Sequence, residues 1–242
     1  MSSLDLNDLR LLASDAGRLL QFGLRPRLQP SRDVDYAELV LRYNADPEFQ
    51  AVVASVAVGQ GLLVLSCDQL GGIVLAPTED SPFRIRLADY VQVQSSDVRL
   101  LHGLVQLAIA ATAYPTAAAL EDSTRLASVS AGQVYERIRR IIDDERGTAG
   151  RSDPPEDTPE LEPVWRLLGR LRAADTTPDG RDTPFNITGA IRKALRWLAD
   201  NGLADEVAGA ADTWRLRDRY RLQVLAAAGT AVDVVRQAGS DA

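Results

Sequence analysis

The stretch that most constrains the fold is LRWLADNGLADEVAGAADTWRLRDRY, residues 195–220. It carries an amphipathic helix into an Asn-Gly stop, then a short apolar strand, a turn of small residues, a second strand and the start of another helix. Helix, hairpin, helix is how a winged-helix domain ends, and such domains either bind DNA or serve as docking modules. The segment alone fits both functions, so the choice depends on the remainder of the chain.

A second helix-and-hairpin pattern lies in the first half of the chain. Apolar residues recur at spacings of three and four over residues 4–22 and again over 35–43, and Asp46-Pro47-Glu48 is a favourable helix start. Two β-rich runs, 62–67 and 73–76, flank a Gly-Gly turn, which predicts a hairpin. We therefore expect a mainly α fold with short β-hairpin wings, arranged as tandem winged-helix domains.

A linker is predicted where the apolar periodicity stops, because residues 146–159 are dominated by Gly, Pro, Ser and Asp. Residues 98–113, by contrast, form an almost wholly apolar helix, which is typical of a buried helix and leaves a surface that a two-fold dimer contact would cover. The predicted order is an N-terminal helix and connector over 1–30, a first winged-helix domain over 31–146, a linker over 147–159 and a second winged-helix domain over 160–242.

Composition narrows the class of protein. The chain has 242 residues, of which 45% are hydrophobic, so it can bury one large or two small cores. It lacks a run of about 20 uncharged apolar residues and a basic, then apolar, N-terminus, which predicts a cytoplasmic protein without a membrane span or secretory signal. The net charge of −7 lowers the expectation of a free-standing DNA-binding domain, which usually carries a basic surplus.

Side chains suited to catalysis are scarce. His102, the single histidine, lies in the most apolar helix and is interpreted as a packing residue; Cys67, the single cysteine, has no basic neighbour in sequence to make it a thiolate. Neither Gly59-Gln60-Gly61 nor Gly71-Gly72 opens a phosphate-binding loop, and no Cys/His spacing suits a metal. We expect no enzymatic activity, no cofactor and no metal; an enzyme using carboxylates, such as those of residues 143–145, is a remaining alternative.

Five basic side chains are predicted to share one helix-and-wing surface: Arg192, Lys193, Arg196, Arg215 and Arg217. The first three fall outside the apolar stripe of the helix over 187–200, and the two arginines of the second wing strand alternate with apolar residues. No Asn or Gln on that helix face offers adenine pairing, so contact with phosphates is favoured over base readout. The alternative is that the five charges are solvated or pair with nearby carboxylates.

Two winged-helix units in an acidic chain, with a buried middle helix and no catalytic set, resemble the KITE proteins, the tandem winged-helix subunits of SMC complexes. The nearest type is similar to MukE, to its relative MksE and to the corresponding subunit of Wadjet plasmid-defence systems. The resemblance spans nearly the whole chain, except for the linker and the N-terminal helix. The stretches that carry it are GLLVLSCDQLGGIVLAPTEDSPF (61–83), LLHGLVQLAIAATAYPTAAALED (100–122) and ITGAIRKALRWLADNGLADEV (187–207).

The resemblance implies a non-catalytic adaptor. Such a subunit forms a homodimer, binds the kleisin that bridges the heads of the SMC ATPase, and helps to hold DNA there through non-specific backbone contacts. It would be nucleoid-associated, in chromosome condensation or in plasmid defence, and ATP hydrolysis would belong to its partner. The alternative of another class is a free-standing winged-helix transcriptional regulator, which would bind one operator sequence tightly by itself.

Overall fold

The computed structural model describes residues 6–84, 86–91, 95–149 and 186–240. Helices predominate, and the two sheets are small and antiparallel, which confirms a mainly α fold with short strands. Short 3-10 helices cover Pro30–Arg32 and Leu87–Asp89. The elements are α1 (Leu6–Gly23), α2 (Val34–Ala45), α3 (Pro47–Gly59), β1 (Leu62–Asp68), β2 (Gly72–Pro77), α4 (Ser96–Ala113), α5 (Ala117–Glu121), β3 (Ser128–Ser130), α6 (Ala131–Ala149), α7 (Ile187–Asp200), β4 (Ala204–Glu206), β5 (Thr213–Leu216) and α8 (Asp218–Ser240).

The chain groups into two compact units that differ from the predicted order of domains. Unit 1 is Met1–Ile85 with Asn201–Leu203 and Arg217–Ala242; unit 2 is Arg86–Asp200 with Ala204–Leu216. Helices α4 and α6, expected in the first domain, therefore group with α7, and α8 groups with the N-terminal helices. Residues 147–149 of the predicted linker are instead the end of helix α6, and residues 150–159 lie outside the described residues.

Unit 1 packs α1, α2 and α3 against the β1–β2 hairpin. Aspartate side chains cap the N-termini of α2 and α3. The Asp33 carboxylate accepts from the Tyr36 amide at 3.0 Å, and the Asp46 carboxylate accepts from the Glu48 and Phe49 amides at 3.0 and 3.1 Å. The strands pair from Leu62 opposite Pro77 to Asp68 opposite Gly72, with a bulge between Val64 and Ser66. The core between helices and hairpin includes Leu19, Leu20, Tyr36, Phe49, Val53, Leu62 and Ile73.

A buried tyrosine and a buried arginine tie the elements of unit 1 together. The Tyr36 hydroxyl accepts from the Ile73 amide at 2.8 Å, and its ring stacks on Phe22 with centroids 4.4 Å apart. Arg219, in the first turn of α8, donates to the carbonyls of Gly23 at 3.2 Å and Ile73 at 2.7 Å. Because its guanidinium is buried, the pKa of Arg219 lies below its ordinary value. The start of α8 is thus fixed to α1 and β2.

Unit 2 is built around α4, which packs against α6 and α7. Its buried face carries Leu101, Val105 and Ile109, while Leu107 on the other side is 70% exposed, so the predicted burial holds for one face of the helix. The sheet has the order β3–β5–β4, with Val129 and Glu206 both opposite Trp214 on either side of the central strand. The strand β3, from the middle of the chain, therefore completes the sheet of the C-terminal hairpin.

Candidate nucleic-acid interface

Helix α7 presents a buried apolar stripe and an exposed basic face. The Asn186 side chain caps the helix by accepting from the Gly189 amide at 2.9 Å. The buried stripe comprises Ile187, Ala190, Ile191, Ala194, Leu195 and Leu198. Arg192, Lys193 and Arg196 are all exposed, as the spacing of the apolar residues predicts.

Arg192 forms an ion pair with Asp212, the residue immediately before β5. Its Nε and Nη2 donate to the same oxygen, Oδ2, at 3.0 and 2.5 Å, and both side chains are partly exposed, 44% and 37%. The hydrogen bond from Arg192, with the charges of Arg192 and Arg196, holds the pKa of Asp212 below its usual range. Pairing with a carboxylate was one of the expectations for this residue. Asp212 was not an expected partner, and it is the site residue that sequence reasoning missed.

Lys193 and Arg196 form no ion pair with a described residue. Both are exposed on α7, one and four positions beyond Arg192. Arg196 acts on Asp212 only through its charge, and Lys193 acts in the same way on His102. Their charges are therefore directed at solvent and open to an anionic partner.

The wing strand brings only one of its two arginines onto the sheet. Arg215 is exposed on β5, between the buried Trp214 and Leu216, and lies opposite Asp205 of β4. This is the alternation that the sequence predicts. Arg217 instead follows the strand, is half-buried and belongs to unit 1, where its amide donates to the Leu203 carbonyl at 2.9 Å. It therefore does not share the solvent face of β5 with Arg215.

We use the name basic surface for the exposed residues Arg192, Lys193, Arg196 and Arg215 of unit 2. The hairpin beside it ends in a tip of small residues, Ala208 to Ala211, which is largely exposed. The tip closes through a hydrogen bond of 2.9 Å from the Val207 amide to the Thr213 carbonyl. A narrow, exposed hairpin next to a basic helix can approach a phosphate backbone without steric obstruction from large side chains.

A partly buried polar cluster around His102 lies behind α7 in unit 2. The Tyr90 hydroxyl lies 3.4 Å from Nδ1 of His102 and accepts from the Gln106 amide at 3.3 Å, while the Tyr90 ring contacts the Trp197 ring at 5.1 Å. His102 is only 6% exposed, and burial, assisted by the charge of Lys193, lowers its pKa. These contacts agree with the interpretation of His102 as a packing residue and leave it neutral at neutral pH.

The remaining candidates for chemistry belong to different units, Cys67 to unit 1 and residues 143–145 to unit 2. Cys67 is buried in unit 1, where burial, reinforced by Asp68, raises the pKa of its thiol to about 12. Asp143 is exposed on α6, and the side chains of residues 144 and 145 lie outside the described ones. In the part of the chain that the structure describes, no group of three His, Cys, Asp or Glu side chains is arranged to hold a metal ion. Over the same residues, no helix combines the length and apolarity needed to cross a membrane.

The observations define a mainly helical protein with two small antiparallel sheets and an exposed basic helix. No family model and no curated protein matches the chain.

Proposed function

We propose that the chain is a non-catalytic tandem winged-helix adaptor that contacts duplex DNA through the phosphate backbone. The observation that carries the proposal is the basic face of α7 set against a buried apolar stripe, with a short antiparallel hairpin directly after it. In a winged-helix domain, the helix before the wing is the element presented to DNA. The basic surface has the charge and exposure that this role requires.

The topology of unit 2 supports the winged-helix assignment. Leaving aside the five-residue α5, its described elements run α4, β3, α6, α7, β4, β5, and β5 lies between β3 and β4 in the sheet. Helix, strand, helix, helix, then two wing strands with the last one central is the winged-helix order. Unit 1 has three helices followed by the β1–β2 hairpin, which supports a second unit of the same kind without the first strand.

The side chains on the exposed face of α7 favour phosphates over bases. That face offers Arg192, Lys193 and Arg196 but no Asn or Gln, the residues that pair with adenine edges in the major groove. Guanidinium and ammonium groups bind backbone phosphates on any sequence, and the guanine edges with which they also pair recur in every mixed-sequence duplex. We therefore propose weak, salt-sensitive and sequence-indifferent binding by the isolated chain.

The partners are proposed from the resemblance to KITE proteins. A homodimer that binds a kleisin, next to the heads of an SMC ATPase, does not need to supply all of the DNA affinity of its assembly. A net charge of −7 is compatible with such a role, because other subunits contribute phosphate contacts. Co-purification with a large coiled-coil ATPase tests the assembly, and sedimentation tests the dimer. Sedimentation as a monomer at micromolar concentration would count heavily against the proposed dimer.

A charge-reversal experiment tests the DNA contact. In the test variant Lys193, Arg196 and Arg215 become Glu; in the matched control Arg10, Arg32 and Arg99, exposed arginines elsewhere on the chain, become Glu. Both lose the same charge, so a general electrostatic effect appears in both. Losing three phosphate contacts should reduce the slope of log affinity against log salt by about 2.7 units.

Fluorescence anisotropy with two duplexes of unrelated sequence gives the readout. We expect the test variant to lose binding to both duplexes and the control to retain most of it, with unchanged circular dichroism for each. Loss of binding to one of the two duplexes only would favour the alternative of a free-standing transcriptional regulator. Normal DNA binding together with a lost protein partner would make the basic surface a docking face.

A further inference from the structure

The basic residues on α7 are not equivalent. Of the three, Arg192 alone is ion-paired with a described residue, and its partner Asp212 sits at the junction of the wing and β5. Two donors of the guanidinium, on Nε and Nη2, are directed to one carboxylate oxygen. The pair therefore joins the exposed face of α7 to the base of the hairpin.

The backbone holds the Asp212 carboxylate in position. Asp212 has φ of 52°, in the left-handed region that L-residues rarely adopt and that Asp and Asn tolerate best. Its carbonyl accepts from the Ala131 amide at 2.9 Å, at the start of α6. These features fix the backbone of Asp212 at the position from which its carboxylate reaches Arg192.

A carboxylate and a DNA phosphate are competing acceptors for the same guanidinium. Both are anions that accept paired hydrogen bonds from arginine, so a phosphate approaching Arg192 must displace or share the Asp212 oxygen. The negative charge of Asp212 also repels that phosphate. Because both side chains are more than a third exposed, the pair is screened by water and can exchange.

We propose that Asp212 occupies the phosphate position on Arg192 and so limits the affinity of the basic surface for DNA and other polyanions. This inference rests on the proposed function, in which the basic surface meets the phosphate backbone. It predicts that removing the carboxylate strengthens binding, which is the opposite of what removal of a residue needed for binding would do.

The test variant is Asp212→Asn in the full chain. Asparagine keeps the size of the side chain and the tolerance for positive φ, so only the charge and its ion pair are lost. Glu206→Gln is the matched control: it removes one negative charge from β4 of the same hairpin, where Glu206 is exposed and forms no ion pair with a described residue. Each change is also made in an Arg192→Gln background.

Binding is measured by anisotropy with a fluorescent duplex at low salt and by elution from heparin, a polyanion without duplex geometry. We expect Asp212→Asn to bind DNA about two- to fivefold more tightly than the wild type, the range given by the weak exposed pair. It should also elute from heparin at higher salt. Glu206→Gln should give a smaller gain, and in the Arg192→Gln background the two variants should become equal.

Three results would contradict the proposed competition between Asp212 and phosphate, and a fourth would separate it from the proposed DNA function. A gain no larger than that of Glu206→Gln, or one that survives Arg192→Gln, overturns the competition. Weaker binding by Asp212→Asn also overturns it, because Asp212 would then position Arg192 for the ligand. If Asp212→Asn shifts heparin elution as expected while neither it nor the wild type binds duplex DNA, the competition stands and the proposed DNA function fails.

Discussion

The hydroxyl of Tyr36 provides the sharpest test of how unit 1 is held together. It accepts from the amide of Ile73, and the whole residue is 0% exposed. Tyr36→Phe removes one oxygen, keeps the ring on Phe22 and leaves the Ile73 amide without its acceptor. Because water does not reach this position, the amide cannot regain a partner in the folded state.

The expected loss of stability follows from the unpaired amide of Ile73. A buried polar group deprived of its partner costs about 1–3 kcal/mol, whereas an exchange of one hydrogen bond for another with water costs much less. Exchange of the Ile73 amide with solvent deuterium should accelerate by about fivefold to about 150-fold if it follows the same free energy. In a chain of this size each kcal/mol lowers the melting temperature by about 2–4 °C.

Urea denaturation followed by circular dichroism, with hydrogen exchange read at Ile73, measures the effect. Tyr43→Phe is the matched control on the same helix: Tyr43 is half-buried and its hydroxyl bonds the Gln50 side chain, so water can replace the lost contact. We expect a clearly smaller loss there. Equal losses in the two variants, or unchanged exchange at Ile73, would refute the assignment of this energy to the buried hydroxyl.

Three further outcomes are expected. Gly72→Ala should destabilise the fold by about 2–4 kcal/mol in urea titration, because φ is +70° and a Cβ would overlap the Tyr36 hydroxyl; Gly71→Ala, whose Cβ would meet the Asp68 carboxylate only at ordinary van der Waals distance, is its control. The lowered pKa of His102 adds stability above about pH 6.5 that is lost as pH falls through the folded value, so His102→Gln should flatten the change in melting temperature between about pH 7.5 and about pH 5.5. Cys67, with its thiol pKa near 12, should resist iodoacetamide at neutral pH until urea unfolds the chain; rapid native alkylation would contradict its burial.

Features fixed by neighbours in sequence could be predicted from the sequence. Asp46-Pro47 starts α3 as expected, because the cap bonds amides only two and three positions away. The Asn-Gly stop ends α7, and Gly202 adopts the positive φ of 67° that such a stop uses. The burial of Trp214 and Leu216 follows from strand alternation alone.

Features that depend on distant partners could not be predicted. Ser128–Ser130 is three residues long, without a strand pattern, and pairs with β5 only because the fold brings the two together. Arg219 looks like any other arginine of an amphipathic helix, yet it is buried against two carbonyls far away in sequence. The grouping of α4 and α6 with α7 follows from the same kind of long-range contact. The only indication in the sequence at Asp212 is that aspartate tolerates a positive φ, and this does not predict the ion pair with Arg192.

The total charge of the chain does not decide which of its basic side chains can bind DNA. A phosphate responds to charges within about one Debye length, about 8–10 Å near physiological salt, so distant carboxylates are screened. The environment of each arginine decides instead whether that side chain can bind a phosphate. Arg219 is buried and donates to two backbone carbonyls, and exposing it to a phosphate would break both hydrogen bonds. Arg196 is exposed and forms no ion pair with any described residue, and Arg192 lies between these cases, exposed but held by Asp212. With Arg192 held by Asp212, the basic surface should bind DNA weakly by itself, and binding should strengthen when a partner supplies further phosphate contacts.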